Sequence, residues 1–264
     1  MNLNLRVNIG LFATLLTFAG IGQNVYGETQ TAQSSAGRQE NFEVALSLFD
    51  SGKFQEAANT YESLLLSDHR NGHVLYNLSL TYYRAGDNGR SMGAILAARS
   101  LLPRDPDIKS NLKFLEGRLQ DKLSASPELS TSERLLNFWV AGVSVKELLT
   151  ANISASVAAA IVLILMFAVG RLKKYRLVSL WVLALPVLTA TLLTTKLSLE
   201  SAWGAVTADG TKVYSGPSTS NTLLFNLNTG APVELSSESN AGFRMVRLSD
   251  GKKGWVAESD LAVF

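Results

Sequence analysis

Two long uncharged segments in the C-terminal half of the chain constrain its fold more than any other feature. The first runs from Leu148 to Gly170 over 23 residues, and the second from Leu177 to Thr195 over 19 residues. A helix needs about 20 apolar residues to cross the hydrocarbon core of a bilayer. Neither segment shows a polar face, so we expect transmembrane helices at 151–170 and 177–195. The alternative is two buried helices of a soluble core.

The segment between the two runs, residues 171–176, contains four Lys or Arg residues in six positions. The outer flanks show no such excess, since Lys146 is followed at once by Glu147. Short loops rich in Lys and Arg stay on the cytoplasmic side of a membrane. The pattern therefore predicts a helical hairpin whose loop faces the cytoplasm and whose two ends emerge on the opposite side.

The N-terminus carries a second signal for export. Arg6 precedes an apolar stretch, and small residues follow it up to Gly27, which is typical of a secretory signal peptide over 1–27. An uncleaved anchor helix is the alternative. Either feature sends the following polar linker, 28–37, across the membrane. We therefore expect a bacterial inner-membrane protein with both soluble domains on the periplasmic side.

Residues 38–123 contain a repeat with a period of 34. Residue pairs of similar character stand 34 positions apart: Gly52 and Gly86, Ala57 and Ser91, Tyr61 and Ile95, Leu64 and Ala98, His69 and Pro103. Paired helices with this period resemble the tetratricopeptide repeat. A third helix, which begins near Asp105, has no complete partner helix and is expected to cap the stack. The resemblance implies an α-helical solenoid with a groove lined by the first helix of each repeat.

Aromatic and Arg side chains on the first helices are the candidate partner-binding residues, because such side chains often dominate the energy of an interface. An apolar helix or an extended peptide is the expected guest. For the first repeat there is an alternative, in which the aromatic residues together with Leu46 cover the end of the stack. The candidates are Phe42, Phe49, His73, Tyr76, Tyr83 and Arg84.

Residues 124–150 are predicted to form a linker followed by a helix at the membrane surface. The segment begins with a Ser- and Pro-rich stretch, and its uncharged part is too short to span a bilayer. Phe138 and Trp139 suit the membrane–water interface. The alternative is a segment that packs on the repeats.

The last 62 residues, 203–264, change to short runs with strand-like composition, separated by turns rich in Gly, Pro, Ser and Asn. They predict a small all-β barrel. The order Val213-Tyr214-Ser215-Gly216-Pro217-Ser218, then Gly254-Trp255-Val256 and Leu261, resembles the bacterial SH3 domain. Tyr214 replaces the usual Arg and Asp260 the usual Tyr. The resemblance implies a ligand surface, for which the candidates are Tyr214, Phe243 and Trp255. Trp255 can instead be a core residue.

Several classes of function are disfavoured by what the sequence contains. There is no Cys, which excludes disulfides, thiolate metal sites and a lipid anchor on cysteine. Residues 28–150 carry 13 Lys and Arg against 15 Asp and Glu, so no basic patch for nucleic acid is expected. His69 and His73 have helical spacing for a metal but no third ligand. We expect no catalytic residue, no metal, no cofactor and no enzymatic activity.

The order of the segments resembles the BatE-like proteins of the Bacteroides aerotolerance (Bat) system. The resemblance implies membrane-bound partners with von Willebrand A domains and a role in oxidative-stress tolerance or envelope integrity. We therefore expect a multidomain membrane protein that acts as a non-enzymatic scaffold for envelope proteins. The alternative is an anchor or sensor that binds peptidoglycan through the SH3 domain.

Overall fold

The structure is a computed structural model that describes residues 37, 39–67, 71–119, 142–168, 176–199 and 202–264. The predicted signal peptide at 1–27, most of the linker at 28–37, and residues 124–141 of the next predicted linker lie outside the described residues. So do residues 171–175 of the basic loop.

A helical unit, residues 39–119, opens the described part of the chain. Its helices are α1 (39–50), α2 (Phe54–Ser67), α3 (Gly72–Arg84), α4 (Asn88–Leu101) and α5 (Pro106–Glu116). Helices α2 and α4 begin 34 residues apart, as do α3 and α5. The predicted period is therefore present in the helix bounds, while the assignment to the tetratricopeptide family stays a prediction.

The turns between the helices explain why the period is 34 residues. Gly52 and Gly86 follow α1 and α3, and both have positive φ angles, 75° and 86°. Glycine adopts this left-handed conformation without a steric penalty, and it commonly ends a helix. At the other end of each connection, side chains of Asn71, Asp87 and Asp105 accept hydrogen bonds from backbone N–H groups in the first turns of α3, α4 and α5. These residues fix where the helices begin.

Helices α3 and α4 pack closely around two buried serines. The Ser79 hydroxyl donates a hydrogen bond to the Ser91 carbonyl oxygen at 2.8 Å, and the Ser91 hydroxyl donates to the Ser79 carbonyl oxygen at 2.9 Å. Large apolar side chains, among them Tyr61, Leu78 and Ile95, form the core on either side. The small serines therefore set the distance between the two helices, and their hydroxyl groups are fully satisfied.

Two 24-residue helices follow, α6 (Val145–Ala168) and α7 (Arg176–Leu199), and they pack against each other. The Asn152 side chain amide donates hydrogen bonds to the Pro186 carbonyl oxygen and the Thr189 hydroxyl, both at 2.9 Å. Ala155 and Ala159 are buried on the same face of α6. Small residues at such positions allow close approach of membrane helices.

Among the described residues, one helix is long and apolar enough to cross a membrane, over Val145–Met166. The apolar part of α7 is shorter, Ala184–Leu197. The second spanning helix therefore stays a prediction. Helix α6 also begins before residue 151, inside the segment that the sequence assigns to an interfacial helix. Residues 145–150 form its first turns.

Residues 202–264 form a β unit with a seven-stranded antiparallel sheet in the order β3-β2-β6-β5-β4-β1-β7. The apolar side chains of its core alternate with exposed ones along the strands, as expected for a sheet with one buried face. The strands are β1 (Ala202–Val206), β2 (Thr211–Tyr214), β3 (Leu223–Leu227), β4 (Pro232–Asn240), β5 (Phe243–Arg247), β6 (Lys253–Ala257) and β7 (Leu261–Ala262).

The helical unit and the β unit are in direct contact through α4, which lies on β1 and β7. Gly89 and Gly93 stand one turn apart on the contacting face of α4. A Cβ atom added to Gly89 would lie 2.5 Å from the carbonyl oxygen of Val206, and one added to Gly93 would lie 2.8 Å from the Cβ of Ala262. We call this contact of α4 with β1 and β7 the docking interface. Two glycines make it possible, because any side chain there would overlap the strands.

Candidate functional site

The sequence-predicted residues of the first helices lie on one side of the helical unit, which we call the groove face, formed by α1, α3 and α5. On α1, Phe49 makes an edge-to-face contact with Phe54, with ring centroids 5.4 Å apart. The guanidinium carbon of Arg84, at the end of α3, lies 5.9 Å from the centroid of the Phe49 ring. The structure therefore brings together Phe49 and Arg84, two of the six predicted partner-binding residues.

A second cluster of the same kind lies at the ends of α3 and α5. Tyr83 makes an edge-to-face contact with Phe114, with ring centroids 5.4 Å apart. The guanidinium carbon of Arg118 lies 5.6 Å from the Tyr83 centroid and 4.4 Å from that of Phe114. The sequence analysis missed Phe114 and Arg118. The 34-residue period could have found Arg118, because it is one period after Arg84, just as Tyr83 is one period after Phe49.

Tyr76 lies on the groove face but is partly engaged. Its hydroxyl accepts a hydrogen bond from the side chain amide of Asn111 at 2.7 Å. Burial raises the pKa of Tyr76, and nearby Asp107 adds to the effect while the bond from Asn111 opposes it. The phenol is therefore neutral in the physiological range, and it stays available as an acceptor or donor to a partner.

Phe42 and His73 differ from the other candidates. Phe42 packs edge-to-face on the buried Tyr61, with centroids 5.7 Å apart. Burial, with the charges of Asp50 and Glu43, raises the pKa of Tyr61 to about 12. Phe42 thus covers a core residue, which favours the alternative that it closes the end of the stack. The side chain of His73 is exposed.

In the β unit, the three candidate ligand residues lie on the outer face of β2, β6 and β5. The Tyr214 and Phe243 rings are in edge-to-face contact with centroids 6.1 Å apart, and Tyr214 is directly opposite Trp255 in the strand register. Met245 is opposite Trp255 on its other side. We call these four residues the aromatic platform.

The position of Trp255 separates the two readings that its sequence leaves open. Val213, Val246 and Val256 fill the core of the β unit, whereas Trp255 is half-buried and lies outside that core. Because side chains alternate along a strand, Trp255 points away from the core when Val256 points into it. The arrangement favours a surface role for Trp255 over the core role.

A cavity of about 230 Å³ lies at the junction of the two units, next to the docking interface. Tyr83 and Arg118 line it from the helical unit, and Asp209 and Thr229 line it from the β unit. The Asp209 carboxylate accepts a hydrogen bond from the Thr229 backbone N–H at 2.9 Å, and this bond lowers the pKa of Asp209. The groove face therefore continues into the junction between the units.

Within the described ranges, no group of three His, Asp or Glu residues could hold a metal ion. His69, which was weighed as a ligand with His73, lies outside them. Every buried side-chain nitrogen or oxygen in the described part of the chain has a hydrogen-bond partner. The geometry is that of binding surfaces, and the expectations of no metal, no cofactor and no enzymatic activity stay predictions.

Comparison with known families identifies one domain. The bacterial SH3 domain family matches residues 209–262, which confirms the resemblance read from the sequence of this region. No curated protein matches the chain significantly.

Proposed function

We propose that this chain is a non-enzymatic scaffold of the bacterial inner membrane that presents a peptide-binding groove face and a bacterial SH3 domain to envelope proteins. The observation that carries the proposal is the contrast on the helical unit. Its α4 side is covered by the β unit, while its groove face keeps aromatic and Arg side chains at the surface. Such side chains are typical anchors of protein interfaces.

The arrangement of the units supports a shared compartment. Arg104, in the turn before α5, forms an ion pair with Glu147 in the first turn of α6. At the other end of the hairpin, β1 begins at Ala202, directly after α7 ends at Leu199. Both units therefore adjoin the same end of the helix pair. With the basic loop in the cytoplasm, both would stand in the periplasm.

Tethering gives the proposed mechanism. A partner that binds the groove face is held beside the membrane and beside the SH3 domain, so a second contact becomes effectively intramolecular. Weak individual contacts then suffice for stable recruitment. On the resemblance to BatE-like proteins, the partners would be membrane-bound proteins with von Willebrand A domains, and the process served would be aerotolerance or envelope integrity.

The proposal is tested by photo-crosslinking in cells. A crosslinking amino acid at Tyr83, on the groove face, is expected to form an adduct with another envelope protein. The matched control is the same substitution at Asn59, which is exposed on α2 away from this face. If Tyr83 traps no protein, or traps the same proteins as Asn59, the scaffold proposal fails.

The topology has its own test. A reporter fused after Phe264 that is active only outside the cytoplasm should be active. Activity of a reporter that works only in the cytoplasm would contradict the proposed membrane orientation and, with it, the periplasmic partners.

A second candidate, a peptidoglycan-binding anchor, is favoured by the aromatic platform on a bacterial SH3 domain. Full-length protein in detergent would be incubated with purified sacculi, since α4 covers β1 and β7 and the β unit alone would expose that face. Retention that is lost in Trp255→Ala but kept in Leu223→Ala, an exposed residue of β3, would support the anchor. Equal loss in neither variant, with no retention of the unchanged protein, would exclude it.

A further inference from the structure

The groove face carries two copies of one arrangement, each a guanidinium group stacked on aromatic rings. Arg84 lies over Phe49, and Arg118 lies over Tyr83 and Phe114. Both the cations and the rings beneath them, Phe49 and Tyr83, are separated by one 34-residue period. The repeat therefore places two equivalent cations side by side on neighbouring first helices.

These two cations differ from other cations of the helical unit. Lys53 pairs with Glu56 at 3.5 Å, Arg90 pairs with Asp87 at 3.3 Å, and Arg104 pairs with Glu147. In the described part of the chain, neither Arg84 nor Arg118 forms an ion pair, although both side chains are exposed.

Stacking restricts the guanidinium groups without using their hydrogen-bond donors. A guanidinium carries five N–H donors in its plane, and a ring beneath that plane leaves the edge free. A planar fork held in place loses less conformational entropy when it binds a carboxylate than a freely rotating one does. The two arginines are thus prepared for carboxylate groups of a partner.

We propose that the groove face binds an acidic peptide segment, in which two carboxylate side chains pair with Arg84 and Arg118 and neighbouring apolar side chains pack on the exposed rings. This inference rests on the proposed scaffold function and specifies the chemistry of its partner. Nucleic acid is a poor fit, because two isolated cations on a unit with more acidic than basic residues do not form an extended basic surface.

The test uses the full-length protein in detergent micelles and fluorescent dodecapeptides of alternating Leu and Glu, with Leu/Gln and Leu/Lys peptides of the same length as controls. Fluorescence anisotropy should show the Glu peptide binding about tenfold or more tightly than the Gln peptide, as charge-assisted hydrogen bonds are roughly twice as strong as neutral ones. The Lys peptide should not bind.

Protein variants separate charge from geometry. Arg84→Gln and Arg118→Gln should each weaken the Glu peptide about fivefold, and the double variant should bind the Glu and Gln peptides equally. Lys113→Gln, which removes an exposed cation of α5 outside the two clusters, should leave binding unchanged. Arg118→Lys keeps the charge but loses the planar fork, so it should resemble Arg118→Gln more than the unchanged protein.

Two results would overturn the inference. One is equal binding of the Glu and Gln peptides, or no binding of either. The other is equal weakening by Lys113→Gln and by the arginine variants, which would indicate general charge attraction. If these results occur while crosslinking at Tyr83 still traps a partner in cells, the scaffold function stands and only the acidic chemistry of the partner is wrong.

Discussion

The two sides of the helical unit are built from different residues. On the α4 side, Gly89 and Gly93 bring the backbone of the helix against β1 and β7, and the contact continues through Tyr82, whose ring lies 6.2 Å from that of Phe264. On the groove face, aromatic and Arg side chains stack on one another and leave their edges exposed.

The difference shows how one repeat can serve two kinds of contact. Small residues fit a single neighbour at a fixed distance, so the α4 side is committed to the β unit. Large flat side chains with free donors can accept a partner from outside, at a lower and adjustable affinity. Changes on the two sides should therefore have different consequences, stability and docking on the one and binding on the other.

The largest effect is expected at the docking interface. Gly93→Leu should separate the two units and destabilise the protein by about 3 kcal/mol, because added volume at a packed site with strand backbone beside it cannot be accommodated. In an isolated helix the same change is favourable, since Leu has a higher helix propensity than Gly. Hydrogen exchange of β1 and β7, with thermal unfolding, provides the measurement.

Gly117→Ala is the matched control for that variant. A Cβ atom at Gly117 would lie 3.5 Å from the nearest atom, the carbonyl oxygen of Lys113, which is ordinary contact. Its stability should be unchanged or slightly higher. If Gly93→Leu behaves like Gly117→Ala, the docking interface as described does not exist.

A smaller effect is expected between α3 and α4, inside the helical unit. Ser79→Ala removes the hydrogen bond to the Ser91 carbonyl oxygen and should destabilise by about 1 kcal/mol. Thermal unfolding of the detergent-solubilised chain should show a decrease in Tm of about 2–4 °C. Ser63→Ala, which removes an exposed hydroxyl that bonds to its own helix, should change Tm little. Equal decreases in the two variants would contradict the structural role of the buried serines.

On the groove face, substitutions should affect stability even less. Tyr76→Phe loses the hydrogen bond from Asn111 and should destabilise by roughly 0.5–1 kcal/mol. Tyr83→Phe keeps the ring contact with Phe114 and should be neutral for stability. Unfolding curves in which Tyr83→Phe is the more destabilising of the two would argue against the assignment of hydrogen bonds on this face.

The smallest effect is a pH-dependent one in the β unit. The backbone N–H of Thr229 lowers the pKa of Asp209 in the folded state, so ionised Asp209 stabilises the fold above its unfolded pKa of about 3.9. Asp209→Asn should therefore lower Tm slightly at pH 7, and the difference should disappear as the pH falls through the folded pKa. A difference that grows as the pH is lowered would have the wrong sign.

The elements with strong local signals could be predicted from the sequence. The 34-residue period gave the helix bounds of the helical unit, because glycines and capping residues recur with it. The order of motifs in 209–262 identified the SH3 domain, which the family match confirms. Each of these signals lies within one continuous segment.

The rest depends on contacts between distant segments. Gly89 and Gly93 indicate close approach of something to α4, but no periodicity says that the neighbours are β1 and β7, more than 100 residues later. The start of α6 was placed too late because Lys146 and Glu147 read as flanking charges. In the structure Glu147 pairs with Arg104, so the helix continues through them. Arg118 was missed because α5 was treated only as a cap.

The most direct test of the account is the contact between Tyr82 and Phe264 in intact cells. A photo-crosslinking amino acid in place of Phe264 should form an intramolecular link to α3 or α4 within a chain of monomeric mass, identified by peptide mass spectrometry. That result requires both units to be docked in one compartment. Crosslinks that reach only other proteins or lipids, with none to the helical unit, would contradict it.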